Sequence, residues 1–191
     1  MTTRNPQIAV FGSSTVRPAD AAWSLGVALG RELALAGADV MTGGYGGAME
    51  ACSQGANEAG GHVVGVTVEL FETRGPVNRW VHERVHTPRL YSRLEHLIER
   101  ADGFVVLPGS IGTLTELFLA WTLVGVGART HAPIVLLGDM WPPVLEALRH
   151  PDAIPPRLFE LVTLTLDPAE AARIALGRDR AAVATAAPPQ R

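Results

Sequence analysis

A chain of 191 residues, 47% hydrophobic with a mean hydropathy of +0.17, is sized for one domain with a substantial core and does not have the composition of a disordered chain. A formal net charge of −3 and a pI near 6.1 argue against a nucleic-acid partner, and a single cysteine, Cys52, excludes an internal disulfide or a cysteine-cluster metal site. No apolar run approaches the roughly 20 residues of a membrane span, and the N-terminus lacks the pattern of a secretory leader, so the expectation is a cytoplasmic protein with no membrane partner.

Short β-branched runs alternate with longer helical patterns along most of the chain. Residues 8–11 read as a buried strand ending in Gly12-Ser13-Ser14, and 19–36 as a helix whose Leu25, Leu29, Leu33 and Ala36 form one apolar stripe. Residues 40–42 are a second strand running into Gly43-Gly44. Residues 46–59 follow as a small-residue helix closed by Gly60-Gly61, and the valine-rich 62–68 as a third strand. Cys52 falls inside that small-residue helix and reads as a packed thiol. The stretch 69–80 breaks every period and is expected as a loop. Beyond it come a strand at 81–87, a helix at 89–100, an apolar strand at 103–107 and a turn at 108–113. The remainder reads as a helix at 113–126, a strand at 133–137, a helix at 141–148, a strand at 161–166 and a helix at 168–176. Strands of this length alternating with helices predict α/β architecture: a doubly wound, mostly parallel, Rossmann-like sheet in a single domain over 1–176. Residues 177–191 are Ala/Pro-rich and are expected to be a disordered tail.

Three glycine-bearing turns fall at the carboxyl edge of such a sheet: Gly12-Ser13-Ser14, Gly43-Gly44-Tyr45-Gly46-Gly47 and Pro108-Gly109-Ser110-Ile111-Gly112-Thr113. Glycine lets the backbone approach a ligand, and free N–H groups at a helix start favour an anion. Ser13, Gly43, Gly44, Gly109, Ser110, Ile111, Gly112 and Thr113 are therefore the candidate cradle for a substrate's phosphate and ribose. No lysine follows any of these glycines, and G-x-G-x-x-G spacing is absent, so a mononucleotide fits better than a triphosphate or dinucleotide. Glu116 lies one turn into the helix, within reach of the turn. A sugar would keep its carboxylate apart from a phosphate, with C1′ at the carboxylate. Arg93 is its natural cationic partner, though a solvated helix-face charge is the commoner situation for an arginine.

The run from Arg93 through Pro108-Gly109-Ser110-Ile111-Gly112-Thr113-Leu114-Thr115-Glu116 resembles the paired motif of the LOG family. That family comprises cytokinin riboside 5′-monophosphate phosphoribohydrolases, formerly taken for lysine decarboxylases. Residues 10–14, 43–47 and 117–137 resemble it too, so the likeness covers roughly 7–150. The resemblance implies hydrolysis of the N-glycosidic bond of a cytokinin or purine nucleoside 5′-monophosphate. In that reading Glu116 and Arg93 are catalytic and Gly109 to Thr113 bind the phosphate. The alternative is a non-catalytic nucleotide or molybdenum-cofactor carrier of the same fold. Three positions depart from the family pattern: Ser110 for its second glycine, Leu94 for a lysine after the arginine, and Gly125 where many members have glutamine. Val81-His82-Glu83-Arg84 superficially copies the family's M-H-x-R-K, but Arg84 lies nine residues too early to be the partner of this turn.

His62, His82, His86, His96, His131 and His150 form no i, i+4 pair on one helix, so no metal or other cofactor is expected. All 16 basic residues are arginine, which leaves no Schiff-base lysine for a decarboxylase. Residues 117–124 are apolar nearly all round. One face of that helix packs on the sheet, so its outer face predicts a homodimer or a multiple of dimers, as the resemblance also implies. Folding of 161–176 back over the patch is the alternative.

Overall fold

Alternate residues of each central strand are apolar on both sides, which commits the sheet to being buried on both faces. In the computed structural model, which describes residues 4–178 apart from 130, 131 and 151 (backbone only at 74), the strands form one seven-stranded sheet. In chain order the elements are β1 (Gln7–Phe11), α1 (Ala21–Leu35), β2 (Asp39–Thr42), α2 (Ala48–Glu58), β3 (Val63–Val68), β4 (Glu83–Thr87), α3 (Leu90–Glu99) and β5 (Gly103–Val106). They continue with α4 (Ile111–Gly125), β6 (Ile134–Leu137), α5 (Trp141–Leu148), β7 (Val162–Thr165) and α6 (Pro168–Ala175). Short 3₁₀ segments, Glu69–Arg74 and Pro156–Leu161, follow β3 and precede β7.

The sheet order is β4-β3-β2-β1-β5-β6-β7 and every pairing is parallel, with Val10 opposite Val105 and Met41 opposite Val64. The winding reverses between β1 and β5, so the loops leaving those strands diverge and open a crevice at the carboxyl edge. Two cores result. Ile8, Val10, Val40, Val105 and Val135 face α1, α2 and α6, while Ala9, Phe11, Val66, Phe104 and Ile134 face α3, α4 and α5. The α1 and α2 helices touch through their backbones: a Cβ on Gly30 would overlap the Cys52 carbonyl, and one on Gly55 the Val27 carbonyl. Cys52 is fully buried in this contact, and burial pushes its thiol up to about 12, which makes it an inert packing group.

Element boundaries differ from the sequence expectation where turns decide them. The α4 helix starts at Ile111, so Gly112 and Thr113 lie within its first turn and Ser110 is its N-cap residue. The α2 helix starts at Ala48 because Gly47 adopts φ 74° with its Cα against Ser13 and Ser14, a position closed to any side chain. The 69–80 stretch is not wholly irregular, since 69–74 form a 3₁₀ helix. The outer face of α4 is covered in part within the chain, by the 3₁₀ segment Pro156–Leu161, which shares Leu161 with the expected 161–176 stretch. Trp121 is only 7% exposed, with Phe159 edge-on at 5.5 Å and its indole N–H donating to the Leu158 carbonyl at 2.7 Å. The Ala/Pro-rich tail lies outside the described residues beyond Arg178.

Candidate functional site

Three strand-to-helix turns meet at the carboxyl edge, and Ser13 pins them together. Its N–H donates to the Pro108 carbonyl at 3.2 Å, and its own carbonyl accepts from Ala48 N–H at 2.8 Å, the start of α2. Its hydroxyl is engaged locally, 2.8 Å from the Thr15 hydroxyl. Ser13 therefore shapes the cradle through its backbone. Gly44 is likewise structural: its N–H donates to Thr42 Oγ1 at 3.1 Å, its carbonyl accepts from Asn78 N–H at 2.9 Å, and its Cα lies against Gly65.

The 108–113 turn presents the open donors. The first backbone bond of α4 runs from Leu114 N–H to the Ser110 carbonyl at 3.0 Å, so the N–H groups of Ile111, Gly112 and Thr113 precede the helical ladder. Ser110, Ile111 (79% exposed) and Gly112 face solvent there. Thr113 is buried instead, its side chain tucked beneath Gly109, where a Cβ would collide with it. Ser110 sits at φ −102°, an ordinary conformation for a residue with a side chain, which is why a serine stands in the family's glycine position without strain.

Below this turn, toward α3, lies the charged pair. Arg93 Nη1 donates to Glu116 Oε1 at 3.2 Å, and the two side chains are only 6% and 13% exposed. Arg93 Nε donates to the Val66 carbonyl of β3 at 2.8 Å. Its guanidinium lies over Gly43, where a Cβ would occupy the same space, and beside Met49. Arg93 is thus no solvated helix-face charge. Its hydrogen bonds go to Val66 and Glu116. Burial pushes the Glu116 carboxyl above the usual carboxylate range, while the charge and hydrogen bond of Arg93 pull it back down. A carboxylate held this way can stabilise a cation that develops against it.

The structure therefore joins Arg93, Glu116 and Gly43, with the 108–113 turn above them. Arg84 stands elsewhere, on β4, bonded to Thr67 Oγ1 at 2.9 Å and to Glu72 at 3.0 Å. Sequence reasoning missed the Val66 carbonyl, Tyr45, Phe71 and Asn78. A backbone acceptor leaves no mark in the sequence, and the other three lie in aperiodic stretches. Among the described residues no cluster of His, Cys, Asp and Glu is arranged to hold a metal, and no helix is long and apolar enough to cross a membrane.

Fold and site together define a Rossmann-like α/β protein with a buried arginine–carboxylate pair beside a helix-start cradle at its switch point. The chain belongs to the LOG family: the family model described as "Possible lysine decarboxylase" matches residues 49–174. The cytokinin riboside 5′-monophosphate phosphoribohydrolase of Mycobacterium tuberculosis is 36% identical over 102 residues, which is 53% of this chain and 54% of that protein. One of the same name from Arabidopsis thaliana is 31% identical over 123 residues, 63% of this chain and 57% of that one. The matched stretch thus spans about half the length of these relatives. Among solved structures, the molybdenum cofactor carrier protein of Chlamydomonas reinhardtii superposes with a TM-score of 0.70 at 27% identity, covering 93% of this chain and 99% of that one. The molybdenum cofactor binding protein of Rippkaea orientalis gives 0.72 at 24% identity over 94% and 99%, a likeness of fold.

Proposed function

We propose that this protein hydrolyses the N-glycosidic bond of nucleoside 5′-monophosphates, releasing free base and ribose 5-phosphate. The observation that carries this reading is the buried Arg93–Glu116 pair beneath the open N–H groups of the 108–113 turn. The 5′-phosphate takes the helix-start donors of Ile111, Gly112 and Thr113, which are suited to an anion. The ribose then spans from the turn toward Glu116. As the bond from C1′ to the base nitrogen breaks, its electron pair leaves with the base and positive charge develops on the sugar ring. The Glu116 carboxylate stabilises that charge, and water adds its oxygen to C1′, one proton ending on the base. Arg93 keeps Glu116 ionised and aimed, and Val66 fixes Arg93. The phosphoribohydrolase relatives support this chemistry, and the absence of lysine from these 191 residues argues against the decarboxylation that the family description names.

A second reading, a cofactor or nucleotide carrier, is favoured by the end-to-end match to the Chlamydomonas carrier. A carrier has no need of a buried carboxylate beside an anion cradle, so we rank it second. Incubation with AMP and with isopentenyl-AMP, followed by chromatography for free base, separates the two. Base release at a catalytic rate is expected, with the corresponding nucleosides poor substrates. Tight binding without release would establish the carrier.

A further inference from the structure

The 69–80 stretch carries no period in the sequence, yet it folds into a strap fastened at several points. Directly after β3 the 3₁₀ segment brings Phe71 to rest with its ring centroid 5.9 Å from the Arg93 guanidinium carbon. Tyr45 meets Phe71 edge-on, with centroids 6.1 Å apart. Tyr45 is itself held: its hydroxyl donates to the Val68 carbonyl and accepts from Val68 N–H, each at 3.0 Å. Beside Phe71, Glu72 accepts from Arg84 at 3.0 Å, tying the strap to the edge strand β4. At its far end Asn78 N–H donates to the Gly44 carbonyl at 2.9 Å, and Asn78 Nδ2 donates to the Tyr45 carbonyl at 3.0 Å. The strap is thus anchored on the same glycine turn whose Gly43 lies against Arg93.

We propose that Phe71 is a positioning residue for the Arg93–Glu116 pair, the point at which the 69–80 strap covers the guanidinium, keeps water from it and fixes it over the glycine turn. The proposal rests on the reading that this pair does the chemistry. A contact of 3.2 Å between opposite charges is strong only where water is excluded, and an aromatic face beside a guanidinium excludes water while still favouring the cation. Each group packed round the pair contributes differently. The β3 strand supplies the Val66 carbonyl, the glycine turn supplies Gly43 and α2 supplies Met49. The strap supplies Phe71, and the charge acting on Glu116 among the described residues is that of Arg93.

The sign of the effect follows. Burial is the larger influence on Glu116 and raises its titration, so admitting water lowers it. In Phe71→Ala the acid limb of the pH–rate profile should move to lower pH by about half a unit or more, because the ionised carboxylate is the working form. Turnover should fall about tenfold while KM for AMP stays within about threefold, since the phosphate turn is untouched. Phe71→Leu, which keeps an apolar cover, should recover most of both. A second readout does not depend on turnover: carbon-13 NMR titration of the Glu116 carboxyl, assigned by the resonance lost in Glu116→Gln. A lower titration in Phe71→Ala supports the strap even if AMP is not cleaved by the parent protein, in which case the functional reading alone fails. An unchanged titration in a folded Phe71→Ala overturns the proposal whatever the activity does. Should Phe71→Ala fail to fold, Asn78→Ala cuts the side-chain tie to the Tyr45 carbonyl and loosens the strap, so the ring is kept but covers Arg93 less closely. A smaller shift in the same direction is then expected, and no shift overturns the idea.

Discussion

On one side of the sheet α1 and α2 touch backbone to backbone, with Gly26, Gly30 and Gly55 admitting the neighbouring helix where any side chain would stand. On the other side α3 and α4 leave a groove of about 310 Å³ lined by Tyr91, Leu94, Ile98, Leu119 and Leu123 with Glu95 and Glu99. The first side is closed by direct helix contact and, among the described residues, holds no buried ionic pair. The second side buries Arg93 against Glu116 and leaves Tyr91 82% exposed. The contrast separates two uses of sequence: small residues spent on tight packing, and a charged pair held in a partly apolar interface that packing alone does not complete. Burying such a pair carries a desolvation cost, which is reasonable only where the charge serves a purpose beyond stability.

Substitutions on the two sides should therefore fail in different ways. The largest effect belongs to the charged side. Glu116→Gln keeps the shape and the acceptor for Arg93 but loses the negative charge, so base release should drop about 10³-fold while AMP still binds. Calorimetric titration with AMP, beside a base-release assay, checks both halves, and turnover at the parent rate would remove Glu116 from the chemistry. On the packed side, Gly30→Val drives a branched side chain into the Cys52 carbonyl. It should cost about 3 kcal/mol or more of stability, read as a lower midpoint in urea. Whatever fraction remains folded should cleave AMP at the parent rate per folded molecule. A stable Gly30→Val protein would mean the two helices are free to separate.

The open side bears on assembly. We propose that a second copy covers the α3–α4 groove across a twofold axis, giving a homodimer with the catalytic helices near its interface. Trp121 is not the residue to test, because Phe159 and Leu158 already bury it. Tyr91 stands free of the core at the groove's rim, so Tyr91→Glu should leave the melting temperature of the isolated fold nearly unchanged while opposing association. Light scattering at micromolar concentration should give twice the 20.3 kDa of one chain for the parent protein and a shift toward 20.3 kDa for the variant. A monomeric parent would leave the groove without that role.

The fold was legible because periodicity reports burial directly. Val63 to Val68 could be nothing but a buried strand, and the Leu25, Leu29 and Leu33 stripe had to face a sheet. Arg93 and Glu116 were legible by motif and as partners, but not the geometry of their bond, because the sequence does not say where a side chain on one helix points relative to another 23 residues away. Arg93 was open to two readings, the partner of Glu116 or a solvated helix-face charge, and its bonds to Glu116 and to the Val66 carbonyl decide for the first. Phe71 and Asn78 were illegible, since their positions follow from contacts with Tyr45 and Gly44 across the sheet edge and from no local pattern. The α1–α2 contact lay between these extremes. Gly26-x-x-x-Gly30 was visible, yet its meaning depended on Cys52 and Ala56 arriving opposite from the next helix.

The smallest expected effect sharpens the account of the cradle. Ser110 replaces a glycine of the family pattern, and if that glycine were needed for its conformation, the serine would be strained and its reversal would stabilise the protein. The backbone argues otherwise. Ser110 has φ −102° and ψ −163°, its side chain makes no capping hydrogen bond, and it faces solvent. Ser110→Gly therefore removes no strain and no cap, and adds chain entropy to the unfolded state, for a loss of about 0.5 kcal/mol or less. Its effect on AMP cleavage reports whether the hydroxyl touches the phosphate. If only the backbone N–H groups of Ile111 to Thr113 hold the anion, KM should stay within about twofold, because those donors are unchanged. A KM for AMP raised about tenfold, with ribose 5-phosphate inhibition weakened in parallel, would instead make the serine hydroxyl a working phosphate ligand. In that outcome this chain has added a side-chain contact to a site otherwise built from backbone alone.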